Sequence, residues 1–183
     1  IGGSKLFHSS IFWAADVASR VVDMVHFTSP ENENNELVRK KLKDKLWTGI
    51  VIDWSEVASY IREDDAVLIG PGMERFEETE TIVDYLLKTF PQKKWVIDGG
   101  ALQMVDPQLL NEQVIVTPHS DELRRLLDRG TTVKQLLNQG VTILAKGQVD
   151  HVLHGNQDIA IVGGNPGLTK GGTGDVLAGL VAA

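Results

Sequence analysis

AVLIGPG, residues Ala66 to Gly72, decides the fold. Four apolar residues run without a polar break into Gly-Pro-Gly, a signal that ends a strand at once. A strand that is apolar at every position is buried on both faces, as parallel strands beneath helices are. The pattern then recurs along the chain. Trp95–Ile97 runs into Asp98-Gly99-Gly100, Val114–Val116 into Thr117-Pro118-His119, and Val141–Leu144, after Ala145, into Lys146-Gly147.

Outward from these four runs, further strands are expected at Val21–Thr28, Gly49–Ile52, His151–Leu153 and Ile159–Val162. Amphipathic stretches lie between them. Helices are expected at Ser10–Arg20, Ser55–Ile61, Glu78–Thr89, Asp121–Leu127 and Thr131–Gln139, and in the terminal apolar run. Another is expected at Asn35–Leu46, where Val38, Leu42 and Leu46 recur every fourth residue. The polar stretch Ser29–Glu36, SPENENNE, reads as a loop. Such alternation predicts an α/β fold with a mostly parallel sheet covered by helices. His154–Asp158 is short enough for a hairpin, so the edge near the C-terminal part is expected to be antiparallel. No repeat or linker divides the chain, and residues 1–183 read as one domain.

Composition narrows the class. A formal net charge of −7 argues against a nucleic-acid surface. Zero cysteines leaves no disulfide or thiolate metal site and is compatible with a reducing cytoplasm. No apolar run reaches bilayer length and no signal-peptide pattern is visible, so a cytoplasmic protein with no membrane partner is expected. Both ends read as cut. Ile1-Gly2-Gly3-Ser4 looks like the tail of a strand entering a turn, and VLAGLVAA is a helical run with no stop signal.

In an open α/β sheet, ligands bind beyond the carboxyl ends of the strands. Here those ends deliver Gly72, Asp98, His119 and Lys146 to one edge. Each also has an ordinary structural reading. Gly70-Pro71-Gly72 suits any turn, Asp98 a loop cap, His119 an exposed strand end and Lys146 a solvated one. Glu122 suits a helix's first turn. His8, His26, His151 and His154 are too scattered for metal-ligand spacing.

The segment that would close this edge is GGNPGLTKGGTGDVLAG, Gly163 to Gly179. Its glycines let the backbone approach a ligand closely, and the N–H groups opening the next helix point outward at an anion. Asp175 stands where loop becomes helix, as an N-cap or as a group that must touch a hydroxyl beside a phosphate. The Walker pattern does not fit, because Thr169 precedes Lys170 and Gly171 follows it. The dinucleotide fingerprint fails as well, with Leu177 in place of its third glycine.

Gly171-Gly172-Thr173-Gly174-Asp175 resembles the anion-hole motif of ribokinase-like kinases. Taken with GPG, TPH, LAKG and Asn165-Pro166-Gly167, in that order, it is similar to the carbohydrate-kinase-like NAD(P)H-hydrate dehydratases, along essentially the whole chain. The resemblance implies a three-layer α/β/α fold with further C-terminal helices beyond Ala183. It also implies an ADP- or ATP-dependent enzyme, accompanied by Mg2+. Its reaction would dehydrate the S epimer of hydrated NADH or NADPH, restore the cofactor, and convert ADP to AMP and phosphate. Bacterial and archaeal members of that family use ADP and eukaryotic ones ATP; the compact, signal-free chain favours ADP.

By motif position, Asp175 would be the catalytic base, and Gly72, His119 and Asp175 would contact the hydrated dinucleotide. Lys146, Gly147, Gln148, Val149, Asp150, Asn165, Gly171, Gly172, Thr173 and Gly174 would hold the adenine nucleotide. A homo-oligomer is implied too. Three places depart from the pattern. Met73-Glu74 replaces the Leu-Gly that completes GPGLG, HPGEF reads His119-Ser120-Asp121-Glu122-Leu123, and the Gly-Ala pair of the first turn reads Ser9-Ser10. A ribokinase-like kinase acting on a vitamin-precursor alcohol shares GGTGD and is the alternative. A nucleotide-binding module without catalysis would lack the base, and Asp175 is present.

Overall fold

The computed structural model describes residues 1–41, 46 and 48–183. Four strands, β3 (Ala66–Ile69), β4 (Lys94–Ile97), β5 (Val114–Val116) and β6 (Thr142–Ala145), pair in parallel and in sequence order. Two more, β7 (Asp150–His154) and β8 (Gln157–Ile161), extend the sheet in antiparallel fashion to an exposed edge. The expected parallel sheet with an antiparallel margin is therefore what forms.

Register explains where the chemistry gathers. Ile69 lies opposite Ile97, Ile97 opposite Val116, and Val116 opposite Ile143. All four are fully buried, so this row of aliphatic side chains runs through the middle of the core. Each contributes roughly 1.5–3 kcal/mol by leaving water. Because these rungs are level, the residues that follow them leave the sheet along one edge.

A two-stranded parallel sheet, β1 (Val25–Phe27) with β2 (Gly49–Val51), lies beside the larger one. Residues Ile1–Gly3 run between the two. The Ile1 carbonyl accepts from Gly70 N–H, while Gly2 N–H donates to the Thr28 carbonyl and Gly3 N–H to that of Pro71. These residues belong to neither sheet as a strand, but their hydrogen bonds tie both together. The expected strand at Val21–Thr28 forms only over Val25–Phe27. Val21 is 61% exposed and has no sheet to bury it.

The helices α1 (His8–Ala18), α3 (Val57–Glu63), α4 (Glu77–Thr89), α6 (Ser120–Asp128), α7 (Val133–Asn138) and α8 (Thr173–Ala182) match the expected ones within a few residues. Two regions differ. The helix α2 covers Asn32–Lys41, so it begins inside the stretch expected to be a loop. Ser29 and Asn35 are fully buried there and hydrogen-bond each other's backbone and side chain: Ser29 N–H donates to Asn35 Oδ1 at 2.8 Å and Asn35 Nδ2 to the Ser29 carbonyl at 2.9 Å. Polar residues that satisfy one another can be buried at little cost. The remainder of the expected helix, residues 42–45, lies outside the described residues, although Val38 and Leu46 are both buried. The second difference is α5 (Gly99–Met104), a helix masked in the sequence by its two opening glycines.

Gly70 shows how tightly the functional edge is built. Its φ is +119°, and a Cβ there would stand 1.8 Å from the Asp98 carbonyl oxygen. Only glycine meets both demands. On one face of the sheet, α1 and α8 pack side by side. A Cβ on Gly179 would collide with the Ala14 carbonyl at 2.5 Å, so small residues set the closeness of the two helices. Among the described residues, no helix is long and apolar enough to cross a membrane.

Candidate functional site

Four strand ends and one glycine-rich loop converge on a single polar cluster. Asp98 follows β4 and is the N-terminal flank of α5; its side chain is only 5% exposed. Oδ1 accepts from Thr117 Oγ1 at 2.7 Å and from Lys146 Nζ at 2.9 Å. Thr117, which follows β5, is fully buried. It is a member of the cluster that the residue types had not singled out, although its place next to Asp98 follows from the register of β4 and β5.

Lys146 is fixed from its backbone outward. Its N–H donates to the Pro118 carbonyl at 2.8 Å, and it forms an isolated parallel bridge with His119 just beyond the ends of β5 and β6. Its ammonium lies 3.6 Å from Glu122 Oε2 and 3.4 Å from the point a Cβ on Gly174 would occupy. One ammonium thus bridges two carboxylates and faces the glycine loop. An ion pair this enclosed is screened far less than a surface pair.

His119 and Glu122 form a reciprocal cap at the start of α6. His119 Nδ1 accepts from the N–H groups of Asp121 and Glu122 at 3.2 and 3.4 Å, and Glu122 Oε2 accepts from His119 N–H at 2.9 Å. The first-turn acid expected at Glu122 is present and has a second task, since the same oxygen faces Lys146. His119 keeps an exposed ring at the rim.

The glycine-rich segment approaches from the other side. Asn165 caps a short 3-10 turn, Pro166–Thr169, by accepting from Gly167 N–H at 2.8 Å. Thr173 Oγ1 donates to the Leu168 and Lys170 carbonyls at 2.6 and 2.9 Å, and these bonds tie the loop to the first turn of α8. Gly172 adopts φ +94° at the N-cap, a left-handed conformation open to glycine. A Cβ there would strike the Trp13 indole at 2.4 Å. Among the described residues no side chain caps this helix, so its positive end is open to an anion. The Lys146–Asp150 turn lies alongside. Gly147 N–H donates to Asp150 Oδ1 at 2.8 Å, and a Cβ on Gly164 would lie 3.7 Å from the Gln148 carbonyl. Gln148 and Val149 are exposed on the same rim.

Asp175, in the first turn of α8, closes the cluster. Burial is the largest influence on its carboxyl and lifts it from the ordinary 3.8 to about 6. The Ser10 hydroxyl works in the opposite sense. The charges of Asp98 and Glu122 reinforce the rise and that of Lys146 opposes it. Gly72 forms the neighbouring wall, where a Cβ would meet the Phe7 carbonyl at 2.3 Å and Ser10 Cβ at 3.1 Å. The folded chain therefore brings Gly72, His119, Lys146, the Gly147–Asp150 turn, Asn165, the Gly171–Gly174 loop and Asp175 to one edge. Ser10, Trp13 and Thr117 join them. A separate groove of about 950 Å³, lined by Tyr60, Asp64, Lys94 and Glu112, opens near the amino ends of β3 and β4. It shares no residue with this cluster.

A parallel sheet with an antiparallel margin, helices on its faces, and a glycine loop feeding a helix that carries a carboxylate in its first turn define the ribokinase-like α/β/α class. A solved ribokinase-like superfamily protein from Enterococcus faecalis superposes with a TM-score of 0.81 over 99% of this chain and 68% of its own, at 24% identity. The whole chain, residues 1–183, matches the family described as NAD(P)H-hydrate dehydratase, and it belongs to that family. A curated relative, the ADP-dependent (S)-NAD(P)H-hydrate dehydratase of Enterococcus faecalis, is 30% identical over 138 residues, covering 69% of this chain and 47% of the relative. The fold is also that of the ADP/ATP-dependent NAD(P)H-hydrate dehydratase of Bacillus subtilis, a protein co-crystallized with ATP/Mg2+ and soaked with CoA. There the TM-score is 0.66 at 21% identity, over 99% of this chain and 70% of that one. The chain spans less than half the length of the first curated relatives it matches.

Proposed function

We propose that this chain carries the dehydratase activity of its family: removal of water from the S epimer of hydrated NADH or NADPH, coupled to hydrolysis of ADP to AMP and phosphate. The observation that carries this reading is the position of Asp175. It is a carboxylate with raised proton affinity, one helical turn from an open anion loop and adjacent to Lys146. The name of the Enterococcus relative supports the same reaction.

The residues divide the work. Asp175 accepts the proton of the ring hydroxyl as that oxygen attacks the terminal phosphorus of the nucleotide. The P–O bond to the departing AMP breaks as the new one forms. Backbone amides of the Gly171–Gly174 loop and the Lys146 ammonium stabilise charge on the transferred group. The C–O bond then breaks with phosphate taking the electron pair, because phosphate leaves far more readily than hydroxide; the neighbouring ring carbon gives up a proton to water or to the departing phosphate, and its C–H electrons form the restored C=C bond. Gly72 and His119 hold the dinucleotide side; Gly147, Gln148, Val149, Asp150, Asn165 and Thr173 hold the nucleotide side.

Among the described residues, no three His, Asp or Glu side chains converge to hold a metal ion. Mg2+ accompanying the nucleotide belongs to the proposal; when bound, it would neutralise charge on the phosphates. Residues 1–183 are proposed as one catalytic domain, since Ile1–Gly3 hydrogen-bonds to both sheets. A homo-oligomer, which the family resemblance implies, and a cytoplasmic setting, which the cysteine-free sequence favours, belong to the same proposal. Sedimentation velocity reads the first of these.

The test is direct. The purified protein, given (S)-hydrated NADH, ADP and Mg2+, is expected to restore NADH absorbance. No recovery with ADP or ATP, together with phosphorylation of a vitamin-precursor alcohol, would move the assignment to the kinase reading. That reading is the less supported, because the family match and the named relative both point to dehydration. The same assay carries a pH prediction. The base must be ionised, so kcat/KM is expected to fall as pH drops through about 6, the value to which burial raises Asp175. An acid limb near pH 4 instead would show that the carboxylate is not held in this environment.

A further inference from the structure

The loop assigned to phosphate is supported from several sides. The Thr173 hydroxyl ties the first turn of α8 to the Leu168 and Lys170 carbonyls. The Lys146 ammonium stands 3.4 Å from the point a Cβ on Gly174 would occupy. A further support comes from α1. At Gly172 a Cβ would lie 2.4 Å from both Cε3 and Cζ3 of Trp13 and 3.2 Å from Cη2, all atoms of the six-membered ring. The benzene half of the indole therefore rests directly on the Gly172 backbone. One turn further along α1, Val17 Cγ1 stands 2.8 Å from the point a Cβ on Gly179 would occupy, so α1 grips α8 at two places. Long side chains on a helix lean toward its N-terminus, which carries the indole to the N-terminal end of α8. At Gly171, by contrast, a Cβ would meet nothing within 4 Å. The loop is thus braced at Gly172 and open at the residue before it.

We infer that Trp13 is a positioning residue for the nucleotide's phosphates: its indole holds Gly172 at φ +94° and so keeps the Gly171–Gly174 amides in the arrangement that receives an anion. The inference rests on the reading of that loop as the phosphate cradle. Glycine gives the turn its left-handed shape but also the freedom to leave it, and ordering a free backbone opposes binding. A rigid ring packed against the glycine removes that freedom before the ligand arrives. Tryptophan suits the task because two side-chain torsions fix a large flat surface. Trp13 is 40% exposed, while Ile11, Ala14 and Ala15 are the buried residues of α1, so the helix keeps its core without the indole. The same contact gives Gly172 a second reason to be glycine, since a side chain there would displace the ring.

The test compares wild type, Trp13→Ala, Trp13→Phe, Gly172→Ala, and Trp13→Ala combined with Gly172→Ala. Binding of ADP with Mg2+ is measured by titration calorimetry, KM and kcat for ADP by NADH recovery, and Tm without ligand. Trp13→Ala is expected to weaken ADP binding and raise KM about five- to thirtyfold, the cost of ordering one backbone residue at binding. Its kcat is expected to stay within about twofold of wild type, because bound ligand then orders the loop. A variant that merely folded less well would lose kcat, through fewer active molecules, and keep its KM. Trp13→Phe, which retains a six-membered ring, should recover much of the affinity. Gly172→Ala should cost at least about twofold less affinity in the Trp13→Ala background than in wild type, because the collision is gone and only the strain of positive φ remains. Unchanged ADP affinity and KM in Trp13→Ala overturn the proposal, as does an equal cost of Gly172→Ala in both backgrounds. A wild-type protein that takes up neither ADP nor ATP overturns the reading of the loop and the proposal with it; non-additive Tm values would then leave Trp13 as a packing residue only.

Discussion

Asp175→Asn is expected to lower turnover by about 10²–10⁴-fold, the contribution typical of a positioned general base. Nucleotide affinity is expected to change little. Asparagine has nearly the same size, and the groups assigned to the nucleotide are the loop amides and Lys146. The amide nitrogen cannot accept a proton, and the carbonyl oxygen is too weak a base to replace the carboxylate. Titration calorimetry with ADP and Mg2+, alongside the NADH-recovery assay, separates the two effects. Near-normal turnover in this variant would remove Asp175 from the chemistry. A parallel collapse of affinity and turnover would make it a binding group instead.

Lys146→Met is expected to cost about 3 kcal/mol of stability, at the low end for removing one partner of a buried ion pair. Asp98 is 3% exposed, and without the ammonium it keeps only the Thr117 hydroxyl. Glu122 Oε2, 3.6 Å from the same nitrogen, loses its countercharge too. The low end applies because the Lys146 side chain retains 17% exposure, so water reaches part of the pair. Urea denaturation of Lys146→Met, Asp98→Asn and the double variant forms a cycle. The double variant should recover the part of the loss due to Asp98, whose stranded charge is then gone, while Glu122 still lacks its countercharge. A single-variant cost below about 1 kcal/mol would show that the pair behaves as a surface salt bridge.

Much of this architecture is legible in the residue order, for a physical reason. A strand buried on both faces has no position for a polar side chain, so β3 to β6 stand out as unbroken apolar runs. Their ends stand out as well, because glycine, proline and polar residues crowd the place where each run stops. Asp98, His119 and Lys146 were visible for that reason. Less legible is anything whose partner is distant in sequence. Ser29, Asn34 and Asn35 are as polar as any loop, yet they are buried because they satisfy each other and the Ser4 carbonyl. The helix at Gly99–Met104 opens on two glycines, which weigh against a helix. A Cβ on Gly100 would stand 2.0 Å from the Met73 carbonyl, so packing rather than helix propensity selects glycine there. Trp13 and Thr117 carry no local mark of their place at the site. Thr117 becomes visible only through the strand register, and Trp13 only through the docking of α8.

That docking also governs when the site comes into being. Ala14 and Gly179, which meet where α1 and α8 pack, are far apart in sequence, and the chain between them forms the sheet. Contacts this remote carry the largest loop-closure cost and reward the chain last. The four parallel strands can therefore order, and Asp98 can find Thr117, before any phosphate-binding loop exists. Competence to bind nucleotide is expected to follow the docking of α8 on α1, and ligand should act as a clamp on α8.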